Sequence, residues 1–219
     1  MAMRKSQHGD DLVETIIRKG GRYPEQLLAA FRRGHPVTNL RSLLDSTDEG
    51  VLQSAAWIMS ELGEAAAPLL PACAQLLQHP SHRVRFYALE CVARFSGEPD
   101  GALIAAAIQL LRDEDTGVRW QALMFISRAA NEQLACTVPE QADQELASLT
   151  EWLFSLETAA NASGDIVSKM TSTILVERSF AAAGAYRMRL SDPGPLMVAT
   201  GSNDPDIASF AAGVLTSTR

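Results

Sequence analysis

Apolar residues recur along this chain at helical spacing, and the pattern itself repeats. In the segment His79 to Gly97 (HPSHRVRFYALECVARFSG), Val84, Ala88 and Val92 stand four apart, which puts them on one stripe of an α-helix. The same offsets occur at Val51, Ala55 and Met59 and at Val118, Ala122 and Ile126. The anchors Val51, Val84 and Val118 are separated by 33 and then 34 residues. A period of this length marks stacked helical units, each burying its apolar face against the next. Polar turns precede the anchors: Ser46-Thr47-Asp48-Glu49-Gly50, His79-Pro80-Ser81 and Asp113-Glu114-Asp115-Thr116-Gly117. The acids and glycine of the third suit both a turn and the helix N-terminus that follows.

Each anchor helix is preceded by another candidate helix. Thr38 to Leu44 leads to Val51 to Leu62, Glu64 to Gln78 leads to the helix ending at Gly97, and Pro99 to Arg112 leads to Val118 to Ala130. Upstream, a helix from about Asp10 to Lys19 ends at Gly20-Gly21. A second opens at Tyr23-Pro24 and closes at Gly34 and Pro36. Both fall outside the period, so residues 1–36 read as capping helices and 37–130 as three regular repeats. Beyond them regularity fades. The next anchors are Ile166, 48 residues after Val118, and Ile207, 41 further on. The interval holds a long helix expected from about Pro139 to Thr158, and Ser191-Asp192-Pro193-Gly194-Pro195 is a break. Residues 131–219 read as two divergent repeats of the same continuous domain.

The helix starts SHRVRFYALECV and TGVRWQALMFI, each behind a polar turn, resemble the HEAT repeat, whose signature is an Asp or Pro turn, then Val-Arg, then Ala four residues after the Val. Val84-Arg85 with Ala88 and Val118-Arg119 with Ala122 match it. Leu52, Val167 and Ala208 stand where the other units should carry the arginine, and Met170 stands where the fourth should carry its alanine. The resemblance covers about residues 37–130. It implies an all-α fold, a right-handed α-solenoid of about five stacked helix pairs with an N-terminal helical cap, and it specifies architecture without specifying activity. The Trp-x-x-Leu-Gly-x-x-Tyr pattern of tetratricopeptide repeats is absent.

Composition agrees with helix: 47% of the residues are hydrophobic, alanine is abundant and β-branched runs are scarce. No apolar run follows the basic start MAMRKSQHGDD, and nowhere do eighteen apolar residues follow one another. Neither a secretory signal nor a membrane span is expected, which points to the cytoplasm. There Cys73, Cys91 and Cys136 are expected as reduced thiols.

The net charge of -7 is unevenly spread. Residues 129–168 contain seven acids (Glu132, Glu140, Asp143, Glu145, Glu151, Glu157 and Asp165) and no Lys or Arg. Such a field repels phosphate backbones and attracts basic proteins, so the expected partner is a protein, a basic one, rather than nucleic acid. A solvated acidic face kept for solubility is the other reading.

Catalytic signatures are missing: no His-Glu-x-x-His, Cys-x-x-Cys, Gly-x-Ser-x-Gly, Gly-x-x-x-x-Gly-Lys or Gly-x-Gly-x-x-Gly occurs. No catalytic, cofactor-binding or metal-binding residue is therefore assigned. His79 and His82 lack a further donor and read as solvated turn histidines. Residues two and six beyond each anchor project away from the buried stripe. This places Trp57, Phe86, Trp120 and Met124 on an outer face edged by Glu90, Arg94 and Arg128. These seven residues are the candidate protein-binding set, since aromatics, Met and Arg are what binding surfaces favour. Packing between repeats would use the same rings. Arg85 and Arg119 read instead as a structural ladder bracing the turns.

The function expected is that of a non-enzymatic protein-binding module. A compact acidic binder is similar to some bacterial immunity proteins, which neutralise a toxin by complementarity. The alternatives are an enzyme resembling the HEAT-like alkylpurine DNA glycosylases, for which Trp120, Arg119, Arg85 and Asp113 are the candidate groups, and a scaffold or chaperone-like subunit.

Overall fold

The computed structural model describes residues 11–217, and among them every regular element is helical. Two compact units divide the chain, Met1–Ser96 and Gly97–Arg219.

In the first unit, helix α1 covers residues 11–18, and the expected start at Asp10 lies outside the described residues. It ends at Gly20 and Gly21, with φ of 58° and 82°. A Cβ on Gly21 would lie 1.9 Å from the Gly50 carbonyl oxygen, so only glycine lets this turn lie against the start of α4. Helix α2 (Pro24–Arg32) buries Leu27, Leu28, Ala30 and Phe31. A 3-10 turn and the short α3 (Arg41–Leu44) lead to α4 (Glu49–Glu61). Asp48 caps α4, its Oδ1 accepting from the Val51 amide at 3.0 Å. Val51, Ala55 and Met59 are fully buried, as their spacing predicts.

The helix expected over 64–78 is mostly 3-10. Gly63–Ala72 winds as 3-10 helix, and only α5 (Cys73–Leu76) is α-helical. Pro68 and Pro71 cannot donate the i to i−4 hydrogen bonds that an α-helix needs there. Helix α6 (His82–Phe95) packs against α4, α5 and this 3-10 arm, burying Val84, Ala88 and Val92.

In the second unit, α7 (Gly101–Gln109) and a 3-10 turn lead to α8 (Thr116–Arg128). Asp115 caps α8 as Asp48 caps α4, accepting from the Val118 amide at 3.0 Å, and Val118, Ala122 and Ile126 are buried. The single long helix expected from Pro139 to Thr158 is broken. After α9 (Asn131–Ala135) and a 3-10 turn, α10 runs only over Gln144–Ser155. The cause is Asp143, whose side chain accepts from the Glu145 and Leu146 amides and so starts a new helix.

Four helices follow: α11 (Ala162–Met170), α12 (Leu175–Met188), α13 (Gly194–Ala199) and α14 (Pro205–Ser217). Helix α12 is central, packing against α8, α10, α11, α13 and α14. Its run Phe180 to Ala185 is wholly buried, the small side chains letting neighbours approach. Ile166, expected as the fourth anchor, is fully buried on the short α11, but the helix that carries an arginine four residues after its N-cap is the next one, α12, with Arg178 and then Ala181. The anchor position itself holds Glu177, which hid this register in the apolar pattern.

Candidate functional site

The seven candidate residues fall into two sets, one in each unit. In the first unit Trp57 lies on α4 and Phe86, Glu90 and Arg94 lie on α6. Trp57, Phe86 and Glu90 are half-buried and Arg94 is exposed. Arg94 Nη1 donates to the Ser60 carbonyl at 3.2 Å, joining the two helices. Burial pushes the Glu90 carboxyl up, against the pull of Arg94 and a hydrogen bond with Ser60 and with the push of Glu61. The Phe86 ring stands edge-on to Tyr87, with centroids 5.8 Å apart.

The second set forms a concave site. Trp120, Met124 and Arg128 project from one face of α8, four residues apart, and line a cavity of about 370 Å³. Tyr186 of α12, Arg189 just past its end, and Phe210 and Gly213 of α14 form its other walls. The Trp120 ring meets the buried Phe210 ring edge-on at 5.6 Å and 74°, and Tyr186 lies tilted on Phe210 at 6.0 Å. The Arg189 guanidinium sits 3.8 Å over the Tyr186 ring and donates to the Tyr186 carbonyl at 2.7 Å. Trp120, Met124, Tyr186 and Arg189 are half-buried, whereas Arg128 is exposed.

Arginine clasps hold these walls in place. Arg119 Nη1 donates to the Asp113 and Glu114 carbonyls of its own turn, and Nη2 donates to Asp206 at 2.7 Å. Arg178 does the same on α12, reaching the Ser172 carbonyl and, at 3.0 Å, Asp204. Both arginines therefore fix the start of α14. At the far end of α8, Arg187 donates to the Ile126 and Ala129 carbonyls and to Asn131 Oδ1, closing the helix terminus. In the first unit, Arg85 Nη1 donates to the His79 and Pro80 carbonyls, so the ladder geometry recurs on α6, α8 and α12.

The acidic block is partly neutralised from outside. Arg112 donates to both Asp143 and Glu145, and Arg187 lies 3.8 Å from Glu157. The hydrogen bond from Arg112 holds the Asp143 carboxyl below its usual range, with the Leu146 and Glu145 amides adding to the effect. Glu132, Glu140, Glu151 and Asp165 remain exposed.

Of the two turn histidines, His82 is exposed, but His79 is half-buried and its Nδ1 accepts from the Ser81 amide at 3.1 Å. Among the described residues, no three His, Cys, Asp or Glu side chains are grouped to hold a metal, and no helix is long and apolar enough to cross a membrane.

Sequence spacing found the α8 wall of the cavity and missed Tyr186, Arg189 and Phe210. The Thr171-Ser172-Thr173 turn with Arg178 and Ala181 was the available signal for α12, and Phe210 lies between the buried Ile207 and Ala211.

Residues 69–97 match the family model of the HEAT repeat. The matched stretch starts inside the 3-10 arm and takes in α5 and α6, with the Arg85 contact to the turn that joins them. The HEAT repeat is a helical-repeat unit of protein-interaction modules. No curated protein matches the chain.

Proposed function

We propose that this chain is a non-enzymatic protein-binding module, a HEAT-like α-solenoid of about five helix pairs. On this reading a helical cap at 1–36 precedes three regular repeats at 37–130 and two divergent ones at 131–219. The observation that carries it is the cavity where Trp120, Met124 and Arg128 meet Tyr186, Arg189 and Phe210. Rings, a thioether and guanidinium groups are the side chains in which partner-anchoring surfaces are enriched. Trp57, Phe86, Glu90 and Arg94 are proposed as a second contact area.

Residues 97–219 hold sixteen Asp and Glu against eight Lys and Arg, an excess of eight negative charges in a chain of net charge -7. That field favours a basic protein partner, and an immunity-type inhibitor of a basic toxin is the form of binder it suits best. It works against the DNA glycosylase alternative, as do Arg85 and Arg119, whose guanidinium groups are occupied by turn carbonyls.

The test is affinity capture from the native cell with the wild-type chain and a Met124→Ala, Arg128→Glu variant. Loss of a captured protein with helicity unchanged supports the reading, and identical capture by both chains refutes it. Salt-sensitive binding to duplex DNA would favour the enzyme instead.

A further inference from the structure

We propose that the cavity between α8, α12 and α14 is an anchor pocket for an aromatic side chain carried next to a carboxylate on the partner protein. The inference rests on the protein-binding reading and gives that contact its chemistry. Size is the first argument. A cavity of about 150 Å³ lined by apolar side chains already accepts benzene. At about 370 Å³ this one has room for a ring and an attached acidic group together.

The walls are the second argument. Trp120 packs edge-on and Tyr186 tilted against the fully buried Phe210 ring, so an entering ring meets the half-buried Trp120 and Tyr186 in a cluster whose geometry is already set. Met124 adds a polarisable, adaptable contact beside it.

Charge is the third argument, and it selects the acidic neighbour. Both Arg128 and Arg189 line the cavity, and among the described residues none that lines it is acidic. Asp206 is held by Arg119 and Asp204 by Arg178, and Glu157 lies beside Arg187. Arg189 is oriented in advance by its stacking on Tyr186 and its bond to the Tyr186 carbonyl, so its remaining donors need little ordering to meet a carboxylate. A single carboxylate suits this site better than a phosphate chain, because the sixteen acids of residues 97–219 repel a polyanion beyond the two guanidinium groups.

Gly213 provides a clean way to close the pocket. It lines the cavity, and a Cβ built on it meets nothing within 4 Å, so a leucine side chain has room there at the cavity wall. Short Gly/Ser peptides bearing a central Phe-Asp, Phe-Asn or Ala-Asp pair are titrated into the full chain, with NMR following the Trp120 indole and Gly213 amide signals. The Phe-Asp peptide is expected to shift both signals saturably. The Phe-Asn peptide should bind about tenfold more weakly, the effect of one hydrogen bond to a charged group. The Ala-Asp peptide should leave the indole unmoved, and Gly213→Leu should abolish binding. Should Gly213→Leu fold poorly, Arg128→Gln, altered only at an exposed side chain, carries the test with the same tenfold loss expected. Equal binding of Phe-Asp and Phe-Asn, or binding that survives in both variants, overturns the proposal. A peptide series that shifts nothing while the wild-type chain still captures a protein overturns the anchor chemistry and leaves the protein-binding reading standing. A wild-type chain that captures no protein overturns both.

Discussion

Arg119 on α8 reaches Asp206 on α14, Nη2 to Oδ2 at 2.7 Å, while its other terminal nitrogen holds two carbonyls of its own turn. The two side chains are only 19% and 28% exposed. Because α14 supplies Phe210 and Gly213, this bond sets where one wall of the cavity stands. Arg119→Ala deletes three hydrogen bonds at once and is expected to cost about 2–3 kcal/mol. Urea denaturation of Arg119→Ala, Asp206→Asn and the double variant measures the coupling, and strictly additive losses would contradict the clasp.

Acid should loosen the same terminus. Burial raises the Asp204 carboxyl, but the bond from Arg178 and the amides of Ile207 and Asp206 outweigh it and hold the group below its ordinary 3.8. A carboxyl lowered in the folded state contributes stability that is complete above the unfolded value and lost as pH falls through the folded one. Urea midpoints are therefore expected to drop below about pH 4, and Asp204→Asn should flatten that decline. A wild-type decline in the Asn variant would rule this out.

Glu90 titrates with the opposite sign. Burial first, helped by Glu61 and opposed by Arg94 and Ser60, holds it above its ordinary 4.5. Its contribution is present below the unfolded value and lost as pH rises through the folded one. Glu90→Gln is expected to match or exceed wild-type stability at neutral pH, as read by thermal unfolding.

Two helical glycines should respond oppositely to alanine. On α14, Gly213 faces open space, so Gly213→Ala is expected to stabilise by about 0.5–1 kcal/mol through helix propensity alone. At the start of α7, a Cβ on Gly101 would lie 2.5 Å from the Cys136 carbonyl oxygen, and Gly101→Ala is expected to destabilise by about 1–3 kcal/mol. Denaturant midpoints of the pair decide it, and a shared sign would show that the α7 approach is looser than described.

Thiol chemistry should be slow. Cys73 and Cys91 are buried, and the Cys91 thiol is pushed up by its hydrogen bond with Cys73 and then by burial. Burial and the carboxylates of Glu98, Asp100 and Glu140 push Cys136 up as well. Since the thiolate is the nucleophile, brief iodoacetamide treatment of the native chain should modify Cys136 before either buried thiol. Peptide mass mapping reads the order, and early labelling of Cys91 would be incompatible with the packing.

The repeat could be read from residues because Val51, Val84 and Val118 put aliphatic side chains where the fold buries them, and Asp48 and Asp115 announce the helix starts they cap. It became illegible where one residue departs from type. Glu177 occupies the anchor position before Arg178, so apolar periodicity passed over the central helix α12. Asp143 broke a helix that composition alone would extend. Of the cavity, Trp120, Met124 and Arg128 were visible because they share one helix face. Tyr186, Arg189 and Phe210 reach it from two other helices, and such meetings are fixed by packing, not by spacing along the chain.

The proline-bearing arm Gly63–Ala72 gives its part of the chain an unusual ruler. At about 2.0 Å per residue against about 1.5 Å in an α-helix, its ten residues reach roughly 20 Å, a span that would otherwise need about thirteen. With three residues to the turn, Ala66 and Leu69 eclipse one another along a single buried edge. Adding or removing one residue there would swing that edge by about 120°, so this arm tolerates substitutions far better than changes of length.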